Sequence, residues 1–245
     1  MVMAQSLVLP YCGLIMAGSW VSHWNFDPFV LGIVAALAVS AWRAPVANGR
    51  WGWAATAMVV LLWISPLCPW SATLLSLRVA HHMGVMLVLA PVLALAWPRM
   101  RIGSPTGWAM GSALALSAWF VPAVYSFAWA SASAYWALQL AMLGVAWQFW
   151  ATWFAPESAR RPLELASAPA LLAMAMGLVG ALLTFATRPL LAEHIWASAL
   201  VDVSPLRDQQ LAGLVMWTGG MVPMALFAAL GLRNLIRRTG EGARC

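Results

Sequence analysis

Two adjacent histidines and an arginine interrupt a strongly apolar stretch, SLRVAHHMGVMLVLAP, at residues 76–91. On a helix, residues three or four apart share a face, so Arg78, His82 and Met86 form one stripe and His81 points about 100° away. A long arginine side chain near a helix end can extend to the aqueous boundary, which predicts an anchoring role for Arg78. His82 lies one turn deeper, where low dielectric keeps an imidazole neutral. We therefore expect His82 to bind a metal ion or, alternatively, to form a hydrogen bond with a neighbouring helix.

A cysteine in ISPLCPW, residues 64–70, strengthens the metal hypothesis. The next helix returns from the same end, so Cys68 and His82 are expected to be neighbours. Thiolate, thioether and imidazole are the ligands that Cu(I) prefers, and Met86, His81 and Cys12 extend the candidate set. In an oxidising compartment Cys12 and Cys68 can instead form a disulfide.

The stretch SPLRDQQLAGLVMWTGGMVP, residues 204–223, carries the second group of unexpected polar residues. A carboxylate near a helix N-terminus is stabilised by the helix dipole, and this accounts for Asp208. Gln209 and Gln210 predict hydrogen bonds between helices, including bonds that orient a ligand histidine. The pair Gly219–Gly220 permits close helix approach or bending.

The composition identifies the class of protein that must position these residues. The 245-residue chain is 63% hydrophobic and only 8% charged, which predicts an integral membrane protein in contact with lipid. All 13 basic residues are arginine, and they stand singly or in adjacent pairs between apolar runs. Such spacing does not form a groove for nucleic acid, and the net charge of +6 is better explained by membrane topology.

Seven apolar segments are long enough to cross a bilayer, which predicts an all-α polytopic fold. They are residues 28–43, 51–68, 74–97, 107–128, 134–154, 168–187 and 208–232. Three of the helix starts carry a capping side chain before a proline, at Asp27–Pro28, Ser104–Pro105 and Ser204–Pro205.

The arginines predict the orientation of this bundle. With the N-terminus outside, ten arginines fall on the inner side and three, Arg78, Arg188 and Arg207, on the outer side, so the expected topology is N-out and C-in. The predicted organisation is an outer segment (1–27), a transmembrane domain (28–232) and a basic cytoplasmic tail (233–245). All four histidines then lie on or near the outer side, with Cys12 and Cys68. We therefore expect any chemistry to face the periplasm.

Conventional catalysis has no support in the sequence. The chain contains no HExxH, GxSxG, P-loop or CxxC motif, and no paired carboxylates within one span. We expect a protein that is not an enzyme.

Several short stretches follow one another in the order of a known family. The more specific are DQQLAGLVMW at 208–217 and RVAHH at 78–82; the others are YCG at 11–13, WNFDP at 24–28, SPLC at 65–68, AP at 90–91, YW at 135–136 and TFATRPLL at 184–191. By these residues the chain resembles the multi-span CtaG family of cytochrome c oxidase assembly factors.

This resemblance implies a seven-helix protein of the bacterial inner membrane that serves maturation of the haem-copper oxidase. It implies delivery or insertion of copper at the outer side, with oxidase subunits as partners. His82 matches the family's third-helix histidine and His81 its frequent neighbour. Asp208 and Gln209 match the motif of the last helix.

The chain departs from the family pattern at two positions. Where the family's fourth helix resembles W-H-x-P, Trp119 is followed here by Phe120, and Gln139 stands where a histidine usually follows YW. One interpretation is a copper site rebuilt from Cys12, Cys68, His82 and methionine. The other is an accessory subunit that stays bound to a respiratory complex and holds no metal of its own.

Overall fold

Every regular element in the described part of the chain is a helix. The structure is a computed structural model and describes residues 9–19, 21–98, 102–156 and 161–242. The α-helices are α1 (Pro28–Arg43), α2 (Val46–Val59), α3 (Leu67–Thr73), α4 (Leu75–Gly84), α5 (Ala90–Ala96), α6 (Pro105–Ala118), α7 (Pro122–Ala130), α8 (Ala132–Trp153), α9 (Pro162–Phe185), α10 (Ala192–Ala197), α11 (Pro205–Val215) and α12 (Val222–Gly242). Three π-helical turns extend or join them: Val60–Ile64 after α2, Val85–Leu89 between α4 and α5, and Met216–Met221 between α11 and α12.

The predicted helix starts are confirmed. Asp27 Oδ1 accepts a 2.7 Å hydrogen bond from the Phe29 N–H at the start of α1. Ser104 Oγ accepts one of 3.2 Å from the Gly107 N–H at the start of α6. Helix α11 begins at Pro205, directly after Ser204, but the Ser204 side chain forms no capping hydrogen bond, so only the position of this start is confirmed. In each case the proline takes a first-turn position that needs no backbone donor.

The prediction of seven spans is supported in part. All seven predicted segments fall on helices. Within the described residues, three continuous helices are long and apolar enough to cross a membrane: Leu75–Ala96, Pro162–Phe185 and Pro205–Arg237. Two bent pairs raise the count to five, Val46–Ile64 with Leu67–Thr73 (46°) and Pro105–Ala118 with Pro122–Ala130 (75°). The structure therefore has three to five candidate spans in an all-helical membrane protein.

The other predicted spans and the tail differ from expectation for physical reasons. Helix α1 has only 16 residues. Helix α8 has 22, but its tryptophans, Tyr135 and two glutamines reduce its mean hydropathy. The last helix does not end at residue 232, since α12 continues to Gly242 and takes in most of the predicted tail. Four arginines in the charge count lie outside the described residues: Arg99, Arg101, Arg160 and Arg244.

An irregular segment, residues 9–19, packs on one end of the bundle; we call it the N-terminal strap. Cys12 is joined to Cys68 of α3 by a disulfide, with 5.5 Å between the Cα atoms. Gly13 follows with φ of +70°, a conformation that favours glycine. The fully buried Ile15 donates its N–H to Thr73 Oγ1 at 2.9 Å. The strap therefore covers the end of the bundle at which α4 begins.

Candidate functional site

Helix α4, which carries the RVAHH stretch, is capped by the DQQ stretch of α11. The Asp208 carboxylate accepts hydrogen bonds from the Leu75 N–H (2.6 Å) and the Ser76 N–H (3.2 Å), and also from the Ser76 hydroxyl. These are donors of the first turn of α4, which have no partner within their own helix. The explanation of Asp208 by its own helix dipole was therefore incomplete, because its carboxylate fixes the start of another helix.

The sequence predicted that Arg78 anchors its helix at the aqueous boundary, and the structure contradicts this prediction. Arg78 is only 3% exposed, and its Cζ lies 5.6 Å from the centre of the Tyr135 ring and 6.0 Å from that of Trp119. Its Nε and Nη1 have no hydrogen-bond partner among the described residues. The guanidinium cannot extend to the aqueous boundary because the strap and two aromatic rings cover this end of α4.

His82 shares the environment of Arg78, as the helical spacing predicted. It is fully buried, and its ring centre lies 4.7 Å from that of Trp119. Both ring nitrogens are without a hydrogen-bond partner in the described structure. Trp119 lies in the break between α6 and α7, so the 75° bend there brings this indole against Arg78 and His82. The predicted hydrogen bond from His82 to a neighbouring helix is not formed.

His81 faces a different part of the bundle. Its Nε2 lies 3.1 Å from the Leu62 carbonyl oxygen, and its ring meets the Trp63 ring edge-on at 5.1 Å. The ring centres of His81 and His82 are 6.0 Å apart. The two histidines thus lie in different surroundings.

The predicted sulfur ligands are not brought to His82 as free donors. Cys12 and Cys68 form the disulfide, and a disulfide sulfur is not a thiolate ligand. Met86 is buried, and its backbone carbonyl accepts a 2.8 Å hydrogen bond from Trp150 Nε1. Among the described residues, no three His, Cys, Asp or Glu side chains are grouped closely enough to hold a metal ion. The ligand set proposed from sequence is therefore not assembled in this oxidised form.

The three glutamines singled out from sequence have different surroundings. Gln139 is buried and donates from Nε2 to the Tyr135 hydroxyl at 3.1 Å. Gln209 accepts from the Leu190 N–H at 2.7 Å and donates to the carbonyl oxygens of Leu183 and Arg188. The predicted hydrogen bond between helices is confirmed, since Leu183 belongs to α9 and Gln209 to α11. The amide is used by Leu183 and by the chain after α9, and not by a histidine. Gln210 is half-buried.

A fourth histidine, His194, joins the end of α3 to Tyr125 of α7. His194 Nδ1 lies 3.3 Å from the Thr73 carbonyl oxygen, and Nε2 lies 2.6 Å from the Tyr125 hydroxyl. A carbonyl can only accept, so Nδ1 carries the proton and Nε2 accepts from the phenol. Burial first, and then the Arg78 charge, lower the pKa of His194 to about 3. His194 is therefore a neutral hydrogen-bonding link at neutral pH.

A comparison with known protein families covers both α4 and α11, two of the helices that form this site. A model of the cytochrome c oxidase caa3 assembly factors matches residues 29–238. The chain belongs to this family. No curated protein and no solved structure matches the chain. The Asp208 cap joins the DQQ and RVAHH stretches, and both lie within the matched residues.

Four residues of the site were not predicted from the sequence, and with Arg78 and His82 they surround one cavity or contact its walls. We call Arg78, His82, Trp119, Tyr125, Tyr135 and His194 the Arg78 cluster. The chain has only three tyrosines, and all three, Tyr11, Tyr125 and Tyr135, line a cavity of about 10 Å³ together with Arg78 and Trp119. The rarity of tyrosine in a chain with 17 tryptophans was the available signal. The assembly factor thus has a buried, aromatic and cationic site under its strap.

Proposed function

We propose that this protein is a non-catalytic membrane factor that binds Cu(I) at the outer side of the bacterial inner membrane and transfers it to a subunit of haem-copper cytochrome c oxidase. Membership of the caa3 assembly factor family gives the role in oxidase assembly. The copper ion is the cargo in this proposal, and His82 is its first ligand.

The observation that carries the proposal is the unpartnered imidazole of His82. Buried polar groups are normally hydrogen-bonded, and leaving one unsatisfied costs about 1–3 kcal/mol. His82 has two such nitrogens and is fully buried. A neutral imidazole with a free nitrogen is a good ligand for Cu(I). Binding a metal ion would recover part of the free energy that this side chain loses on burial.

Thiolate ligands require reduction of the strap disulfide. Two electrons and two protons from a dithiol reductant convert the Cys12–Cys68 bond to two thiols, and a thiol then loses its proton when it binds Cu(I). Cys68 lies in α3, a few residues before the start of α4, the helix that carries His82. Thr73, which accepts the hydrogen bond from Ile15 of the strap, lies in the same short helix. We therefore expect copper uptake by the reduced protein and not by the oxidised one.

Copper stoichiometry of the purified protein tests this proposal. The protein is reduced, loaded with Cu(I) in the presence of a weak competing chelator, and desalted. We expect about one copper ion per reduced wild-type chain and strong loss in His82→Ala and Cys68→Ser. The control is His23→Ala, which removes an exposed histidine and should bind as the wild type does. Absence of copper from reduced wild-type protein would contradict the proposal.

A second function, as a resident subunit of a respiratory complex, is favoured by the disulfide. The disulfide uses both cysteines that were candidate thiolate ligands. The two positions that depart from the family pattern, Phe120 and Gln139, have structural roles. Phe120 is buried in the core, and Gln139 bonds to Tyr135. If the protein purifies in a stoichiometric complex with mature oxidase and holds no copper of its own, this second function is supported. If it is absent from purified mature oxidase, the first function is supported.

Sidedness has a separate test. Ser22 is exposed on the segment before α1, so Ser22→Cys in a background without other cysteines gives an accessible label site. We expect a membrane-impermeant thiol reagent to label it in intact spheroplasts. Labelling only in inverted vesicles would reverse the proposed orientation.

A further inference from the structure

The guanidinium of Arg78 is a buried cation without a counter-ion among the described residues. An arginine stays protonated at any ordinary pH, and an unpaired charge in a low-dielectric interior is unfavourable. The Asp208 carboxylate is used by Leu75 and Ser76, and the Glu193 carboxylate accepts from the Ser126 hydroxyl. The hydroxyls of Tyr125 and Tyr135 interact with the guanidinium but carry no charge. The rings of Trp119 and Tyr135 offer cation–π contacts, which compensate for only part of the lost hydration. The charge still needs an anionic partner.

The cavity beside Arg78 is lined by donors that have no acceptor. The Nε and Nη1 of Arg78 and the indole Nε1 of Trp119 are buried and without a hydrogen-bond partner in the described structure. Both residues line the same cavity. The indole and guanidinium groups can only donate. None of the described lining residues is acidic.

We propose that this cavity binds a small inorganic anion of about the size of chloride as the counter-ion of Arg78. Such an ion accepts several hydrogen bonds at once and neutralises the guanidinium. A water molecule would satisfy one or two donors but would leave the charge unpaired. The proposal is independent of copper binding, because the cavity is built from Arg78, Trp119 and the tyrosines and does not use His82 or a thiolate.

The size of the cavity limits the ligand. About 10 Å³ accommodates the centre of roughly one water-sized sphere. A halide requires only small shifts of the lining side chains, whereas sulfate, phosphate or an organic carboxylate requires more space. The strap closes one side of the cavity through Tyr11, whose ring stacks on that of Tyr135 at 5.0 Å. We therefore expect selectivity for small anions.

Thermal unfolding of the purified, oxidised protein in detergent measures the proposed site. Sodium chloride is titrated against sodium gluconate at constant ionic strength, since gluconate is too large for the cavity. A ligand that binds only the folded state raises Tm in a saturable way. We expect such a rise with chloride and bromide and none with sulfate. An identical Tm in chloride and gluconate would overturn the proposal.

Two variants connect the effect to the cavity. Arg78→Gln should abolish the chloride-dependent rise, while Arg207→Gln, which removes an exposed arginine, should retain it. Trp119→Phe keeps an aromatic ring and removes the unpaired indole donor, so its half-saturating chloride concentration should increase several-fold even if Arg78→Gln fails to fold. Unchanged chloride dependence in Trp119→Phe, or in a folded Arg78→Gln, would exclude this cavity as the site.

Discussion

The Arg78 cluster and the crossing of α9 with α11 and α12 bury their residues in opposite ways. At the crossing, small residues allow backbones to meet: a methyl group placed on Gly213 of α11 would overlap the Gly180 carbonyl oxygen of α9, and one on Gly231 of α12 would overlap the Leu165 carbonyl oxygen of α9. In the Arg78 cluster, large aromatic rings surround a cation and leave several donors without acceptors. The crossing combines close backbone packing with the hydrogen bonds from Trp217 to Gly177 and from Gln209 to Leu183, whose acceptors are all paired with a donor.

This difference predicts that substitutions in the two regions have different kinds of effect. A crossing in which helices meet backbone to backbone tolerates little change, because there is no space for additional atoms. A cluster with unsatisfied donors loses stability that a bound ligand can restore. We therefore expect substitutions at the crossing to affect folding under all conditions. Substitutions in the cluster should have effects that depend on redox state, pH or ligand.

Removing the strap disulfide should produce the largest effect. The bond joins positions separated by 56 residues, and the chain-entropy estimate for a loop of that length is ~4 kcal/mol. We expect the double variant Cys12→Ser with Cys68→Ser to lower Tm strongly and to make residues 9–19 sensitive to protease. Dithiothreitol should lower Tm of the wild type and leave this variant unchanged.

The control is Cys245→Ser, which removes the third cysteine and should unfold as the wild type does, with the same sensitivity to dithiothreitol. A strap that stays resistant to protease in the double variant would show that its other contacts suffice.

A methyl group at the helix crossing should have the next largest effect. A Cβ on Gly213 would overlap the Thr184 hydroxyl and the Gly180 carbonyl, whereas one on Gly144 of α8 would meet nothing within 4 Å. Gly213→Ala should cost about 3 kcal/mol through overpacking, with the same loss in reducing and oxidising buffer. Gly144→Ala should be neutral or slightly stabilising, because alanine favours a helix. Equal Tm values for the two variants would contradict the packing argument.

The sequence predicted much of the fold because its signals are local. Capping residues and prolines marked the starts of α1, α6 and α11, and the seven predicted apolar segments all fall on helices. The number of spans could not be predicted in this way, since the bends at Pro66 and Pro122 depend on how helices pack and not on hydropathy. The spacing of Arg78 and His82 predicted their common face for the same local reason.

The Arg78 cluster needed information that is not local. Burial of Arg78 depends on Pro10 and Tyr11 of the strap, more than 60 residues away in the chain, and Trp119 reaches it only through the break between α6 and α7. The role of Asp208 depends on a contact over 133 residues. Helical periodicity places a residue on a face of its own helix, but it does not say which helix covers that face.

The pH dependence of stability should distinguish the cluster from the crossing. The folded pKa of His194, about 3, is below the value of about 6.5 expected in the unfolded chain, so the unfolded state takes up the proton first as pH falls. Stability contributed by neutral His194 is therefore complete above about pH 6.5 and is lost as pH falls toward 3. The expected loss is ~2 kcal/mol between pH 7 and pH 5.

His194→Gln should reduce this slope, because glutamine can accept from Tyr125 without titrating. His23→Gln, which changes an exposed histidine, should keep the wild-type slope, as should Gly213→Ala. A slope that is the same in wild type and His194→Gln would show that protonation of His194 does not control acid stability. Tm measured at constant ionic strength between pH 5 and 8 gives the comparison.

The smallest expected effect tests whether the cluster depends on α11. Asp208→Asn keeps one acceptor for the first turn of α4 but removes the charge, and loss of a helix cap of this kind costs about 1 kcal/mol. Asp202→Asn is the matched control, since Asp202 is exposed with φ of +57°, a conformation that asparagine tolerates. If the cap also positions Arg78, Asp208→Asn should weaken the chloride-dependent rise in Tm, and Asp202→Asn should not. A stability loss with unchanged chloride dependence would instead confine Asp208 to holding α4 and α11 together.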